Sequence, residues 1–147
     1  MDNAIHNEAL NDILINTGKS LLQYVGEAWP WTSVSALQEQ RAIDELVSQQ
    51  QRHVAAITEL LGKRAWTIDF GTYPTEYTDL HYAALDFLLA QLIASESALV
   101  DDVERAKQKC SSDTEAVSSL DGLLIEQREI TVQLRQLSVS ATGDASS

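Results

Sequence analysis

The sequence predicts an all-α protein: a four-helix bundle ordered up-down-down-up, with a long crossover between the second and third helices. Three observations carry that expectation. Apolar residues recur at helical spacing in four long segments. Two of the three connections between those segments are short, residues 30–34 and 107–112. The third, residues 62–73, is long enough to run the length of a bundle.

The first helix is expected over residues 7–28, where Leu10, Ile13, Leu14, Thr17, Leu21 and Val25 share one face. Trp29-Pro30-Trp31 ends it, because the residue before a proline avoids the α region. The second helix is expected over residues 35–61. Ser35 and Gln38 fit a capping box at its start. Ile43, Val47, Gln50, Val54, Ile57 and Leu61 form its inner line, with Gln50 the polar exception. Gly62 suits the position just past its end, and Lys63 and Arg64 suit the negative helix terminus. The third helix is expected over residues 74–106, opened by Pro74 with Glu76 and Asp79 near its positive end. Its first half is apolar almost all round, which predicts deep burial. Asp86 lies within that half, in Ala-Ala-Leu-Asp-Phe-Leu-Leu, where a carboxylate needs a partner. The fourth helix is expected over residues 113–137, with Ser112-Asp-Thr-Glu115 as a capping box. Leu120, Leu124, Gln127, Ile130, Leu134 and Leu137 line its inner face. Residues 1–137 are expected to form one domain, and residues 138–147, small and polar, a disordered tail.

The long connection decides the topology. A second helix of about 27 residues is roughly 40 Å long. A connector of about 12 residues spans at most roughly 40 Å when extended. It can therefore return the chain to the starting end, which sets helices 2 and 3 parallel. Trp66, Ile68 and Phe70 alternate with Thr67 and Asp69, so one side of an extended segment would anchor on the bundle. The alternative is a plain up-down-up-down bundle with a long loop.

The chain has 147 residues and a formal net charge of −12. That charge repels phosphate backbones and anionic lipid surfaces, so neither nucleic acid nor membrane is expected as a partner. Cys110 is the one cysteine, which excludes an intramolecular disulfide. The N-terminus lacks the basic start and apolar run of a secretory leader. The most apolar stretch, residues 82–94, is broken by Asp86 and Gln91 and is too short to span a bilayer. A cytoplasmic location is expected.

Six of the nine aromatic residues fall between residues 62 and 87. With the Trp-Pro-Trp turn, they point to a ligand or partner surface built from Trp29, Trp31, Trp66, Asp69, Tyr73, Tyr77 and His81. Tyrosines offer an apolar body and a polar handle, as a binding surface needs. The same side chains could instead pin the crossover to the helices. There is no glycine-rich phosphate loop, nucleophile elbow or Cys-x-x-Cys pair. His6, His53 and His81 include no His-x-x-x-His pair, so they suit surface or partly buried positions better than a zinc site.

Helix 2 carries Gln50-Gln-Arg-His53, helix 4 carries Glu126-Gln-Arg-Glu129, and helix 3 offers Asp86 and Glu96. Helix 1 offers Glu27 at its end. With the single crossover, this arrangement resembles the ferritin-like superfamily over residues 7–137. That family holds two metals with a Glu on each of two helices and a Glu-x-x-His on each of the others. Here glutamine stands at one glutamate position and glutamate at one histidine position. The resemblance implies an atypical site for iron or another divalent transition metal at Gln50, His53, Asp86, Glu96, Glu126 and Glu129. The leading expectation is a non-enzymatic bundle without a cofactor. It would act by association, as a homo-oligomer or with a protein partner, or by binding a small ligand. A ferritin-like metal-binding protein or oxidoreductase is the alternative.

Overall fold

The computed structural model describes residues 4–28, 37–82 and 84–145, without the side chains of residues 81, 82 and 140–145. Among the described residues the protein is all-helical, with no strand. Its elements are α1 (Ala4–Gly18), α2 (Leu21–Glu27), α3 (Leu37–Lys63), a 3₁₀ helix (Thr75–Tyr82), α4 (Leu85–Lys109) and α5 (Thr114–Ala145).

The expected first helix is broken in two. The interruption falls at Lys19 and Ser20, and Ser20 is the N-cap of α2, its hydroxyl accepting from the Gln23 amide at 3.3 Å. The apolar line nonetheless continues across the break: Leu10, Ile13, Leu14, Leu21 and Val25 are all buried.

α3 overruns Gly62. A hydrogen bond from the Trp66 amide to the Leu61 carbonyl, with one from Ala65 to Gly62, forms a Schellman-type turn. It places Ala65, φ 55°, in the left-handed position that a glycine normally takes. The extra turn is held by tertiary contacts. Trp66 packs against the core, and Arg64 forms a two-pronged ion pair with Asp113, both distances 2.7 Å. Arg64 also donates to Asn7 Oδ1 at 2.9 Å, and His6 Nδ1 lies 3.2 Å from Asp113. This cluster ties the start of α1, the end of α3 and the start of α5. Asp113 itself caps α5 by accepting from the Ala116 amide at 3.2 Å, so the cap is Asp113 rather than Ser112. The Ser35 cap expected for α3 lies outside the described residues.

Pro74 opens a 3₁₀ helix rather than an α-helix, and α4 begins only at Leu85. This shift moves Asp86 to the first turn of α4, where it is exposed and accepts from the Phe87 amide at 2.9 Å. The expected buried carboxylate is therefore a solvated helix-start residue. α5 continues to Ala145, past the end expected near Leu137.

The connector makes contacts along α1 and α2 in turn. Asn11 donates to the Asp69 carbonyl at 2.9 Å and accepts from the Asp69 amide at 3.0 Å. Gly71 lies against Ile15, and Tyr73 donates to Glu27 at 3.1 Å. Trp66 and Ile68 pack on the core as the alternation predicts. Phe70, the third expected anchor, is 55 % exposed, because the chain turns at Asp69–Gly71 through an Asp69 side-chain bond to the Gly71 amide.

The core consists of two apolar clusters. One gathers Leu10, Leu14, Ile57, Leu61, Val103 and Leu120; the other gathers Leu22, Ile43, Leu46, Leu89, Leu92 and Leu134. Each fully buried leucine or isoleucine contributes about 1.5–3 kcal/mol. On every long helix the changeover between clusters falls at a buried polar residue: Ser20 after α1, Gln50 on α3, Glu96 on α4 and Gln127 on α5. The polar layer thus lies between the two clusters.

Candidate functional site

The polar layer is a connected hydrogen-bond network. Gln50 stands at its centre. Its Nε2 donates to Glu96 Oε1 at 2.7 Å and to Gln127 Oε1 at 2.9 Å. Its Oε1 accepts from the Ser20 hydroxyl and from Gln23 Nε2, both at 3.0 Å. Gln127 Nε2 donates back to the Glu96 carbonyl at 3.1 Å and to Glu96 Oε1 at 3.2 Å. Gln23 also reaches the Val47 carbonyl at 3.1 Å. Gln50, Glu96 and Gln127 are all 0 % exposed. Buried polar groups need such mutual satisfaction, since each unpaired one costs about 1–3 kcal/mol.

Glu96 is the exception within the network. Its Oε2 makes no well-formed hydrogen bond. Burial pushes its carboxyl up to about 7, against the opposing pull of Gln127, Gln50 and the Leu22 amide. No cation pairs with it among the described residues.

Beside this layer a groove of about 300 Å³ opens between the break in α1–α2, the connector and α4. Asn16, Lys19, Ser20, Thr72, Tyr77 and Ser95 lie in its wall, with Ile15, Pro74 and Leu99 as apolar lining. Ser20 belongs to both the groove and the layer. At one end stands an aromatic cluster. Tyr24 meets Tyr73 edge-on at 5.3 Å between ring centroids and Tyr77 at 5.6 Å. Lys19 Nζ lies 4.8 Å from the centroid of the Tyr73 ring, a cation–π contact. Burial, then Glu96 and Glu76, raise the Tyr77 phenol. Burial and the bond to Glu27 raise that of Tyr73. Both phenols therefore keep their protons at neutral pH, and Tyr73 donates its own to Glu27.

The structure brings Tyr73 and Tyr77 together, as the aromatic crowding suggests. Asp69 is held apart by Asn11, and Trp66 packs on the other apolar cluster. Trp29, Trp31 and the His81 side chain lie outside the described residues. The sequence gives no sign of Tyr24, Lys19 or Ser20 as site residues. The helix break sets Lys19 and Ser20 in the groove wall, and its one signal is the Gly18-Lys-Ser20 sequence inside an amphipathic line.

The candidate metal residues divide. Gln50 and Glu96 meet, with Gln127 beside them. His53 instead pairs with Glu126, 3.7 Å away and outside the layer, while Asp86 and Glu129 are exposed. Among the described residues no group of three or more His, Cys, Asp or Glu is placed to hold a metal ion. A layer of one carboxylate and three amides, all three already bonded, does not fit the carboxylate–histidine set of a di-metal centre. Cys110 is buried, and burial raises its thiol, so it stays protonated. Among the described residues no helix is long and apolar enough to cross a membrane. Compared with known proteins, the chain matches no family model, no curated protein and no solved structure.

Proposed function

We propose that the chain is a non-enzymatic four-helix bundle of the ferritin-like kind, ordered up-down-down-up, that binds a small polar ligand in the groove beside Ser20 and Tyr77. The topology rests on the contact pairs. Residues 7, 18, 20 and 23 meet residues 64, 54, 50 and 47, so α1 and α2 run counter to α3. Residues 53 and 50 meet 126 and 127, so α5 runs counter to α3. Residues 96 and 107 meet 127 and 121, so α4 also runs counter to α5 and hence parallel to α3. Residues 66–74 then serve as the crossover.

One observation carries the binding role: hydroxyl, amide and ammonium groups of Ser20, Tyr77, Ser95, Asn16 and Lys19 border one groove of about 300 Å³. That size suits a small molecule, and a few placed polar groups in an apolar frame are what fix its orientation. Ligand-observed NMR against a library of small polar compounds tests this, with Ala98→Trp, a substitution in the groove wall, as the blocked control. Compounds that bind the wild type and not the variant support the reading. A library without hits, or hits indifferent to Ala98→Trp, would defeat it.

An association role has its own observation. Ile125, Val132 and Val139 are exposed and recur every seventh residue on α5, the spacing of a helix-packing seam. Light scattering on wild type and Val132→Glu tests self-association, and a monomer at all concentrations removes it. Metal analysis for iron, manganese and zinc after native purification tests the ferritin-like alternative.

A further inference from the structure

We propose that Glu96 is a proton-operated latch: protonated, it keeps the α1–α2 break closed over the polar layer, and on losing its proton to solvent it loosens α2 and the aromatic segment packed on it.

The groups facing the carboxyl are Gln50 from α3, Gln127 from α5, the Leu22 amide from α2 and the Tyr77 phenol from the 3₁₀ helix. Ser95 lies beside it on its own helix and acts on Tyr77. No Lys, Arg or His faces it among the described residues. His53, one turn along α3 from Gln50, is engaged with Glu126, and Lys19 with the Tyr73 ring. Ionisation therefore leaves a charge without a counter-ion in a buried layer. The chain must then admit water or more donors to that charge. A carboxyl at 0 % exposure also cannot release its proton without some local opening.

The opening has one weak side. α3, α4 and α5 are long and meet the layer at mid-helix. α2 has seven residues, too few to be helical without packing. Its ties to the layer are the Leu22 amide at Glu96 itself and the Ser20 and Gln23 bonds to Gln50 Oε1, on the amide whose other end donates to Glu96. The groove meets the layer at Ser20, which gives water an approach to it. The aromatic pair Tyr24–Tyr77 joins α2 to the 3₁₀ helix, so the two segments loosen together.

Hydrogen exchange on the full chain from pH 5.5 to 8, corrected for intrinsic rates, tests the latch. In the wild type, protection of amides 20–27 and 75–80 is expected to fall about tenfold or more as pH rises, from a lower starting level than that of 120–124, which report global unfolding. Glu96→Gln, which keeps shape and loses the charge, is expected to show no such fall. The same fall in Glu96→Gln, or amides 20–27 and 75–80 as strongly protected at pH 8 as 120–124, overturns the proposal. Carboxyl ¹³C NMR of the wild type gives a check that needs no variant. A Glu96 signal titrating without a concerted shift of the Leu22 and Gln23 amides also overturns it.

Discussion

Gln50 Nε2 stands 2.7 Å from Glu96 Oε1 in a layer closed to solvent. A neutral amide is thus the closest bonded support of a carboxyl that meets no cation among the described residues. The folded protein holds the Glu96 proton more tightly than an ordinary glutamate, about 7 against 4.5. Folding therefore takes up a proton in that interval. The stability tied to Glu96 is complete below about pH 4.5, falls as pH rises through about 7, and is flat above. The gap corresponds to roughly 3 kcal/mol. Glu96→Gln is expected to gain about 2–3 kcal/mol over wild type at pH 8 and nothing at pH 4.5. Urea unfolding at the two pH values measures it.

The ion pair of Arg64 with Asp113 has the opposite sign. Its hydrogen bonds hold the Asp113 carboxyl below the usual range, despite burial. That stability is present above the ordinary aspartate range and is lost as pH falls through the lowered value. Arg64→Ala leaves Asp113 half-satisfied at the junction of three helices and is expected to cost about 3 kcal/mol at pH 7. The loss should shrink when the pH is taken down to 2, because protonation removes the Asp113 charge that Arg64 pairs with. Unfolding curves for wild type and Arg64→Ala at both pH values check this.

The all-helical class was legible because periodicity reports burial, and Leu10, Ile43, Ile57, Leu120 and Ile130 all fall where their spacing puts them. Gln50 and Gln127 were legible as polar interruptions of those lines. Gln50 and Glu96 were also grouped in one candidate site, and they meet; the place of Gln127 beside them was not legible, because it depends on the relative height of three helices. The break at Lys19–Ser20 was hidden for a different reason. A break of two residues that keeps the inner face in phase leaves the apolar pattern unchanged. Asp86 misled because its neighbours are apolar, although the late start of α4 places it in a solvated first turn.

Ala65 occupies a position that strains any residue with a Cβ. Its φ is 55°, and it closes the turn after α3. Ala65 is exposed, so a glycine there removes nothing from the core. Ala65→Gly is expected to stabilise the protein by about 0.5–1 kcal/mol, the left-handed strain relieved less the added freedom of the unfolded chain. Gly62→Ala, at a helical position with open space around it, should also stabilise, by a similar amount. A rise in the denaturation midpoint for each variant checks both.

Gly71 is the reverse case, because two separate effects demand glycine. Its φ is 69°, and a Cβ built there would meet Ile15 Cγ2 at 2.6 Å. The connector lies this close to α1 because the Asn11–Asp69 bonds hold it two residues earlier. Gly71→Ala is expected to cost about 2–3 kcal/mol, of which about 1 kcal/mol is left-handed strain and the rest the clash. Ile15→Ala removes the γ carbons at 2.6 and 3.2 Å and should relieve only the second part. In a double-mutant cycle, Gly71→Ala should therefore cost about 1 kcal/mol in the Ile15→Ala background. An undiminished cost would show that the backbone alone decides the position. A cost near zero would show that contact with α1 decides it.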